Sequence, residues 1–374
     1  MTTILAAQNA FPRAKAHERD RLLTMSTTRE TMAEITNGNV GAPPPHAQLI
    51  QMGMGVIPAR VLYLAAKMRL ADLLADGPKN AAELAGPTRM HERSLHRLMR
   101  TLSSLGVLAE GAGGRFGLTE TGEALKTGAH GSARSALLTF GGRIWNAFGE
   151  MDYSVKTGKS AFTKVYGMPP FQWLASEPEE AAQFGETMIA FHGAEPPAVA
   201  EAYDFSAFKT IADVGGSTGN MLVHILRRYP GPRGVLFDLP VTVVEAPASL
   251  RKHGMDERIV IEPGSFFESV PAGADCYLLS HVIHDWPEEQ NLTILSHCRK
   301  AMKPESKLLI VEFVLPSDSS PHPGKILDMV MLTVTGGEER TAEEYGALLA
   351  KAGLRMTRVV PTASAASIVE AVIA

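Results

Sequence analysis

The sequence predicts an α/β protein, a doubly wound, mostly parallel sheet preceded by a smaller helical domain of winged-helix pattern. Three observations carry this. "TIADVGGSTGNMLVHILRRYPGPRGVLFDLP", from Thr210, reads as strand, glycine turn, amphipathic helix and second strand, a βαβ unit. "NAAELAGPTRMHERSLHRLMRTLSSLGVLAEGAGGRFGLT", from Asn80, reads as two short helices followed by a hairpin. The apolar run "DCYLLS" ends in "HVIHDWPEEQ", His281 to Gln290, placing titratable side chains at a strand end, where open α/β sheets bind ligands.

At 374 residues the chain is long for one domain, so two are expected. A formal net charge of −4 gives no global basic field for nucleic acid. Cys276 and Cys298 are the only cysteines, too few for a disulfide framework and too far apart for a cysteine zinc site, and a reducing cytoplasm is the simplest home. No metal is expected. "MTTILAAQNAFPRAKAHERD" has too short an apolar segment for a signal peptide, and no apolar stretch is read as approaching the roughly 20 residues a membrane span needs.

Residues 1–45 read as a disordered tail ending in "GAPPPHA", whose prolines do not belong inside a helix; Met25 is an alternative start. Residues 46–130 form the winged-helix-like domain. Its opening stretch, "AQLIQMGMGVIPARVLYLAAKMRLADLLADG", is apolar almost all round and broken at Pro58, which calls for a large apolar partner, best supplied by a second copy of the chain in a homodimer. Asn80 can cap the next helix, and Leu95, Leu98, Met99, Leu102 and Leu105 give the one after it a buried face. That helix region also carries Arg89, Arg93, Arg97 and Arg100. Between Lys79 and Lys126, however, seven basic residues face five acidic ones, weak for a domain that must offset several phosphates, so no nucleic acid is expected.

Residues 131–205 read as a helical linker and substrate-pocket region, with Trp145 in "RIWNAF" and Phe184, Met188 and Phe191 on one helical face. Such a stripe is more often core than ligand pocket, yet methionines and flat aromatic rings would also suit a planar apolar ligand. Residues 206–374 form the α/β domain. There Gly215, Gly216 and Gly219 permit a tight turn and close approach to a ligand, and Asp238, ending the second strand, stands where an acid grips ribose hydroxyls. "DVGGSTG" is not the G-x-G-x-x-G of a pyrophosphate site, and Asp213 before the turn would repel phosphate. A nucleoside carrying a cationic amino acid fits better, and S-adenosylmethionine has an ammonium, a sulfonium and no phosphate.

"DVGGSTG", "FDLP", "GSFFESVP", "HVIHDW", "LLIVEFVLP" and "GGEERTAEEY" occur in an order and spacing that resembles the S-adenosylmethionine-dependent O-methyltransferases similar to plant caffeic acid O-methyltransferase, a family with bacterial polyketide and animal hydroxyindole members. The resemblance covers roughly residues 45–374. It implies a Rossmann-like class I methyltransferase domain behind a winged-helix-like dimerisation domain. It further implies His284 as general base, Glu312 and Glu339 as the acids flanking it, Asp238 with Leu239 at the ribose, Asp213 and Gly215 at the methionine end, and Phe266 and Phe267 against the adenine. Three positions depart from the family pattern: Ser217 replaces a glycine, Ser265 an acid toward the adenine amino group, and Ser280 a basic residue toward the cofactor carboxylate. Loss of one charge-assisted bond at Ser265 costs about 1 kcal/mol.

The chemistry needs these residue types. A phenol with a pKa near 10 is a poor nucleophile at neutral pH until a base takes its proton. A neutral imidazole suits the task, and an adjacent carboxylate fixes its tautomer. Asp285 and Val334 are placed at the acceptor pocket, and His281 has no assigned role. The reading is therefore a methyltransferase acting on a hydroxyl of an aromatic small molecule. Two alternatives remain open: a family member that binds the cofactor without transferring methyl, as in hydroxylation or decarboxylation, and a winged-helix regulator that senses a small molecule.

Overall fold

The computed structural model describes residues 43–129 and 131–374, so most of the N-terminal tail, Met25 included, lies outside the described residues. Two units are separated between Pro58 and Ala59. In the first, helix Pro45–Gly53 buries none of its residues, and Leu49, Ile50 and Met52 are exposed. Two expectations are corrected here. Pro45 lies inside the helix, at its first position, where the missing N–H has no partner to lose. The stretch Pro45–Lys67 is also 23 residues long with a mean hydropathy of 1.5, enough by length and composition to cross a membrane. A turn at Met54 and Gly55 interrupts it before helix Val56–Lys67 begins.

In the second unit, Asn80 caps helix Ala81–Thr88 reciprocally with Glu83, satisfying two of the helix's free N–H groups. Helix Glu92–Ser104 buries Leu95, Met99 and Leu102. Leu105, expected on that face, instead ends the helix and is exposed. Strands β1 (Leu108–Gly111) and β2 (Arg115–Leu118) pair antiparallel, with Phe116 fully buried beneath them. Arg89, Arg93, Arg97 and Arg100 all face solvent.

The main sheet has seven strands. Thr210–Val214 (β3), Arg233–Asp238 (β4), Ile259–Pro263 (β5), Cys276–Ser280 (β6) and Lys307–Glu312 (β7) run parallel. Two short strands, Val314–Leu315 (β8) and Arg340–Thr341 (β9), pair outside it. Leu354–Pro361 (β10) and Ser367–Ile373 (β11) close one edge antiparallel, giving the order β10-β11-β7-β6-β3-β4-β5. The central strands are near-continuous apolar runs, as strands covered on both faces must be: Ile211, Leu278 and Leu309 point into one core, and Ala212, Leu279 and Ile310 into the other. Chain order reverses between β3 and β6. The crevice at their carboxyl ends is thus the ligand position that topology provides.

Candidate active site

The turn after β3 occupies one side of this crevice. Gly215 has φ +79, and a Cβ on it would stand 2.8 Å from Val282; a Cβ on Gly216 would stand 2.6 Å from the Asp213 carboxylate. Both positions therefore require glycine. Gly219, at φ +82, leads into helix Asn220–Arg228. Ser217 also lies in the left-handed region, at φ +54, a conformation costing a residue with a Cβ about 1–2 kcal/mol. Its N–H and that of Leu239 donate to the two oxygens of Asp238, at 2.9 and 2.7 Å. Each oxygen keeps a second lone pair, so Asp238 can still accept from two hydroxyls.

Asp213 is buried, and neither of its oxygens is hydrogen-bonded within the described residues. Burial, reinforced by the Asp238 charge, pushes its carboxyl up to about 7. Burial likewise raises Asp238 against the pull of its backbone N–H bonds. A buried and a half-buried acid short of positive charge fit a ligand that brings cations and hydroxyls; a pyrophosphate would add to the repulsion. S-Adenosylmethionine meets this requirement. Phe266 and Phe267 meet edge to face at 4.9 Å, with Trp286 4.8 Å from Phe267, an apolar wall beside Gly215. The Ser265 hydroxyl accepts from the Phe267 N–H at 3.3 Å, and Ser280 ends β6 half-buried.

The loop after β6 faces this turn. Glu312, at the end of β7, is fully buried, and its Oε1 accepts from the N–H groups of Val282, Ile283 and His284 at 3.1, 2.7 and 3.1 Å. Its Oε2 accepts from the Tyr345 hydroxyl. Glu312 is therefore saturated by the loop backbone. Glu339 reaches the ring instead: its Oε1 lies 2.6 Å from His284 Nδ1. A Cβ on Gly337 would collide with the His284 carbonyl oxygen, which explains the paired glycines before "EER". Asn291 ties down the far side of the loop by donating to the carbonyls of Ile283 and Trp286.

His284 is 5% exposed. With Nδ1–H held by Glu339, the tautomer leaves Nε2 as the free lone pair, 3.9 Å from Asp285 Oδ1. Burial alone would lower its pKa, but the Asp285 carboxylate, the Glu339 bond and the Glu312 charge raise it to about 10. Burial raises the Asp285 carboxyl to about 7 and raises that of Glu339 as well.

The other expected residues spread over the helical region. Phe184 and Met188 are half-buried on helix Pro178–His192, while Phe191 is exposed and 5.4 Å from the Phe140 ring. Trp145 is half-buried, under the Arg60 guanidinium at 4.7 Å. Val334 is buried with Ile144, Ala147 and Phe162. Sequence reading missed the backbone clasp made by Asn291 and Tyr345, and it missed His192 and Glu195, which bond to each other, Glu195 bonding His281 as well. The spacing "HGAE" was the available signal for that pair.

Models of the O-methyltransferase domain and of the O-methyltransferase dimerisation domain match residues 148–355 and 51–128. The phenazine O-methyltransferase PhzM of Lysobacter antibioticus is 42% identical over 90% of this chain and 98% of its own length. The crystal structure of LaPhzM superposes with a TM-score of 0.85 at 41% identity, covering 89% of this chain and 100% of that one. An O-methyltransferase from neocarzinostatin biosynthesis, solved with S-adenosylmethionine and 2-hydroxy-5-methyl naphthoic acid, gives 0.77 at 33% identity, over 85% and 96% of the two chains. Sequence, fold and the cation-seeking turn agree: this chain belongs to the S-adenosylmethionine-dependent O-methyltransferase family.

Proposed function

We propose that the chain methylates a hydroxyl on an aromatic small molecule, with His284 as the general base and Glu339 orienting it. The observation that carries this is a buried imidazole whose Nδ1 is held by a carboxylate at 2.6 Å, at the strand ends where the cofactor turn lies. S-Adenosylmethionine, when bound, supplies a methyl already activated by positive sulfur. The protein must align the acceptor oxygen and receive its proton, which His284 Nε2 does; Glu339 stabilises the imidazolium that results, and Glu312 fixes the backbone that carries the ring. Asp213, Gly215, Gly216, Gly219, Asp238, Leu239, Ser265, Phe266, Phe267 and Ser280 hold the cofactor. Trp145, Phe184, Met188, Phe191, Asp285 and Val334 shape the acceptor pocket. In the resting site the surrounding acids keep His284 protonated, so activity rises with pH.

The domain assignment goes with this reading: a tail to 45, a dimerisation domain over 46–130, a pocket region over 131–205 and the cofactor domain over 206–374. The homodimer is supported by the match to a dimerisation domain and by the exposed apolar surface of Pro45–Gly53. A cytoplasmic location suits two free, buried cysteines. The test is incubation with methyl-labelled S-adenosylmethionine and a panel of phenols, naphthols, phenazines and hydroxyindoles. Label on a phenolic oxygen is the expected result. Cofactor binding with no label moved to any acceptor would favour the non-methylating reading, and a gel shift on DNA the regulator.

A further inference from the structure

A second group of titratable side chains stands beside the base. His192 ends helix Pro178–His192, Glu195 begins helix Glu195–Ala202, and His281 is the first residue after β6. Glu195, 4% exposed, spends both oxygens on the two rings: Oε2 lies 2.6 Å from His281 Nε2 and Oε1 3.1 Å from His192 Nδ1. The centroids of the His192 and His281 rings are 3.8 Å apart, the planes tilted by 34°. His281 in turn stands 5.2 Å from the His284 ring, centre to centre.

Two features show that this group constrains the base loop. His281 has φ +52, a left-handed conformation that is strained for a residue with a Cβ and persists only where the surroundings impose it. The imposing contacts are the bond to Glu195 and the His281 N–H donating to the Val311 carbonyl at 3.1 Å. The loop also bends at this residue, three positions before His284, so the angle adopted there contributes, with Glu312 and Glu339, to where that ring points. A metal ion is a poor occupant of the same donor set. Two imidazoles on one tetrahedral ion hold their ring centres about 5 Å apart, whereas these stand 3.8 Å apart.

We propose that His192, Glu195 and His281 form a clamp that fixes the aim of His284 by tying the base loop to the helix bearing Phe184, Met188 and Phe191. Glu195 and His281 are positioning residues, and the assignment rests on His284 being the base. Because the helix on the other side of the clamp carries the acceptor-pocket residues, the clamp makes the base's position depend on how that helix is seated.

The experiment is a double-mutant cycle on the full-length enzyme with its labelled acceptor. kcat and melting temperature are read throughout, and S-adenosylhomocysteine affinity is measured by calorimetry. His281→Ala and Glu195→Ala should each lower kcat about 10- to 100-fold, the size expected of a misplacement near 1 Å, with cofactor-product affinity kept within about 3-fold. Glu195→Gln, which can bond one ring as acceptor and the other as donor, should recover most of the rate. His281→Gly relieves the strained φ without restoring the bond. It should therefore melt higher than His281→Ala and remain equally slow. In a His284→Ala background the loss from His281→Ala should disappear, since there is no base left to aim. Equal losses in both backgrounds, or a His281→Gly rate that recovers with its stability, would overturn the clamp while leaving His284 as base. An unimpaired His284→Ala enzyme would overturn the base assignment itself. Loss of activity on chelation, restored by Zn²⁺ alone, would replace the clamp with a metal site.

Discussion

The two sides of the crevice treat their acids in opposite ways. On one, Asp213 near the end of β3 is buried with both oxygens unbonded among the described residues, and Asp238 at the end of β4 receives two backbone N–H groups. On the other, Glu312 at the end of β7 receives four donors and Glu339, just before β9, a ring nitrogen. The first side leaves negative charge open and so selects a cationic ligand. The second side spends its charge on the protein itself, fixing a loop and a tautomer. One crevice can thus bind a sulfonium compound at one wall and move a proton at the other.

The strongest way to break this contrast is His284→Ala. On the proposed reading, in which the ring is the base and not part of the cofactor wall, it should lower kcat by about 10²–10⁴ with S-adenosylhomocysteine affinity held within about 3-fold. Glu312→Ala should chiefly unfold: three buried N–H groups and the Tyr345 hydroxyl lose their acceptor, at a cost of about 3–5 kcal/mol in a urea titration. A stable, active Glu312→Ala enzyme would mean that the loop is held by something else. Asp238→Ala should do the reverse, weakening cofactor binding about 10- to 100-fold, the loss of hydrogen bonds to a charged group, with kcat at saturating cofactor nearly unchanged.

Asp213→Asn sharpens the contrast through pH. The folded carboxyl sits at about 7 against 3.8 unfolded, so between those values the unfolded chain releases a proton the folded one retains. The ligand-free enzyme should therefore lose stability as pH rises from about 4 to about 7, and the Asn variant should flatten that slope, read as melting temperature against pH. Ser217→Gly is the smallest test. It should stabilise the protein by about 1 kcal/mol by removing the left-handed strain, and an unchanged melting temperature would show that the turn relaxes in solution.

Much of this was legible in the sequence because strand ends and glycines are local signals. "DVGGSTG" and "FDLP" carry their turn and acid within one βαβ unit, and Asn80 and Glu83 form the reciprocal cap their spacing allows. The division of labour between Glu312 and Glu339 was not legible. Both end up beside one loop, but which one meets a ring and which a backbone depends on β7 and β9 arriving from different directions. His281 was passed over because its partners, His192 and Glu195, lie some 86 residues upstream for the acid, and pairing over such a distance is set by the fold alone. Ser217 stands where the family pattern has a glycine, and the turn holds it left-handed, at φ +54, as it holds Gly215 and Gly219.

The most direct measurement is the single-turnover rate against pH, at saturating cofactor and acceptor, for the wild type and His284→Ala. The wild-type rate should rise with pH as His284 loses its proton. The variant should be slower at every pH below the acceptor's own phenol pKa near 10, the gap narrowing as the acceptor ionises by itself. Two superimposable profiles would show that no proton passes through His284 and would contradict the account.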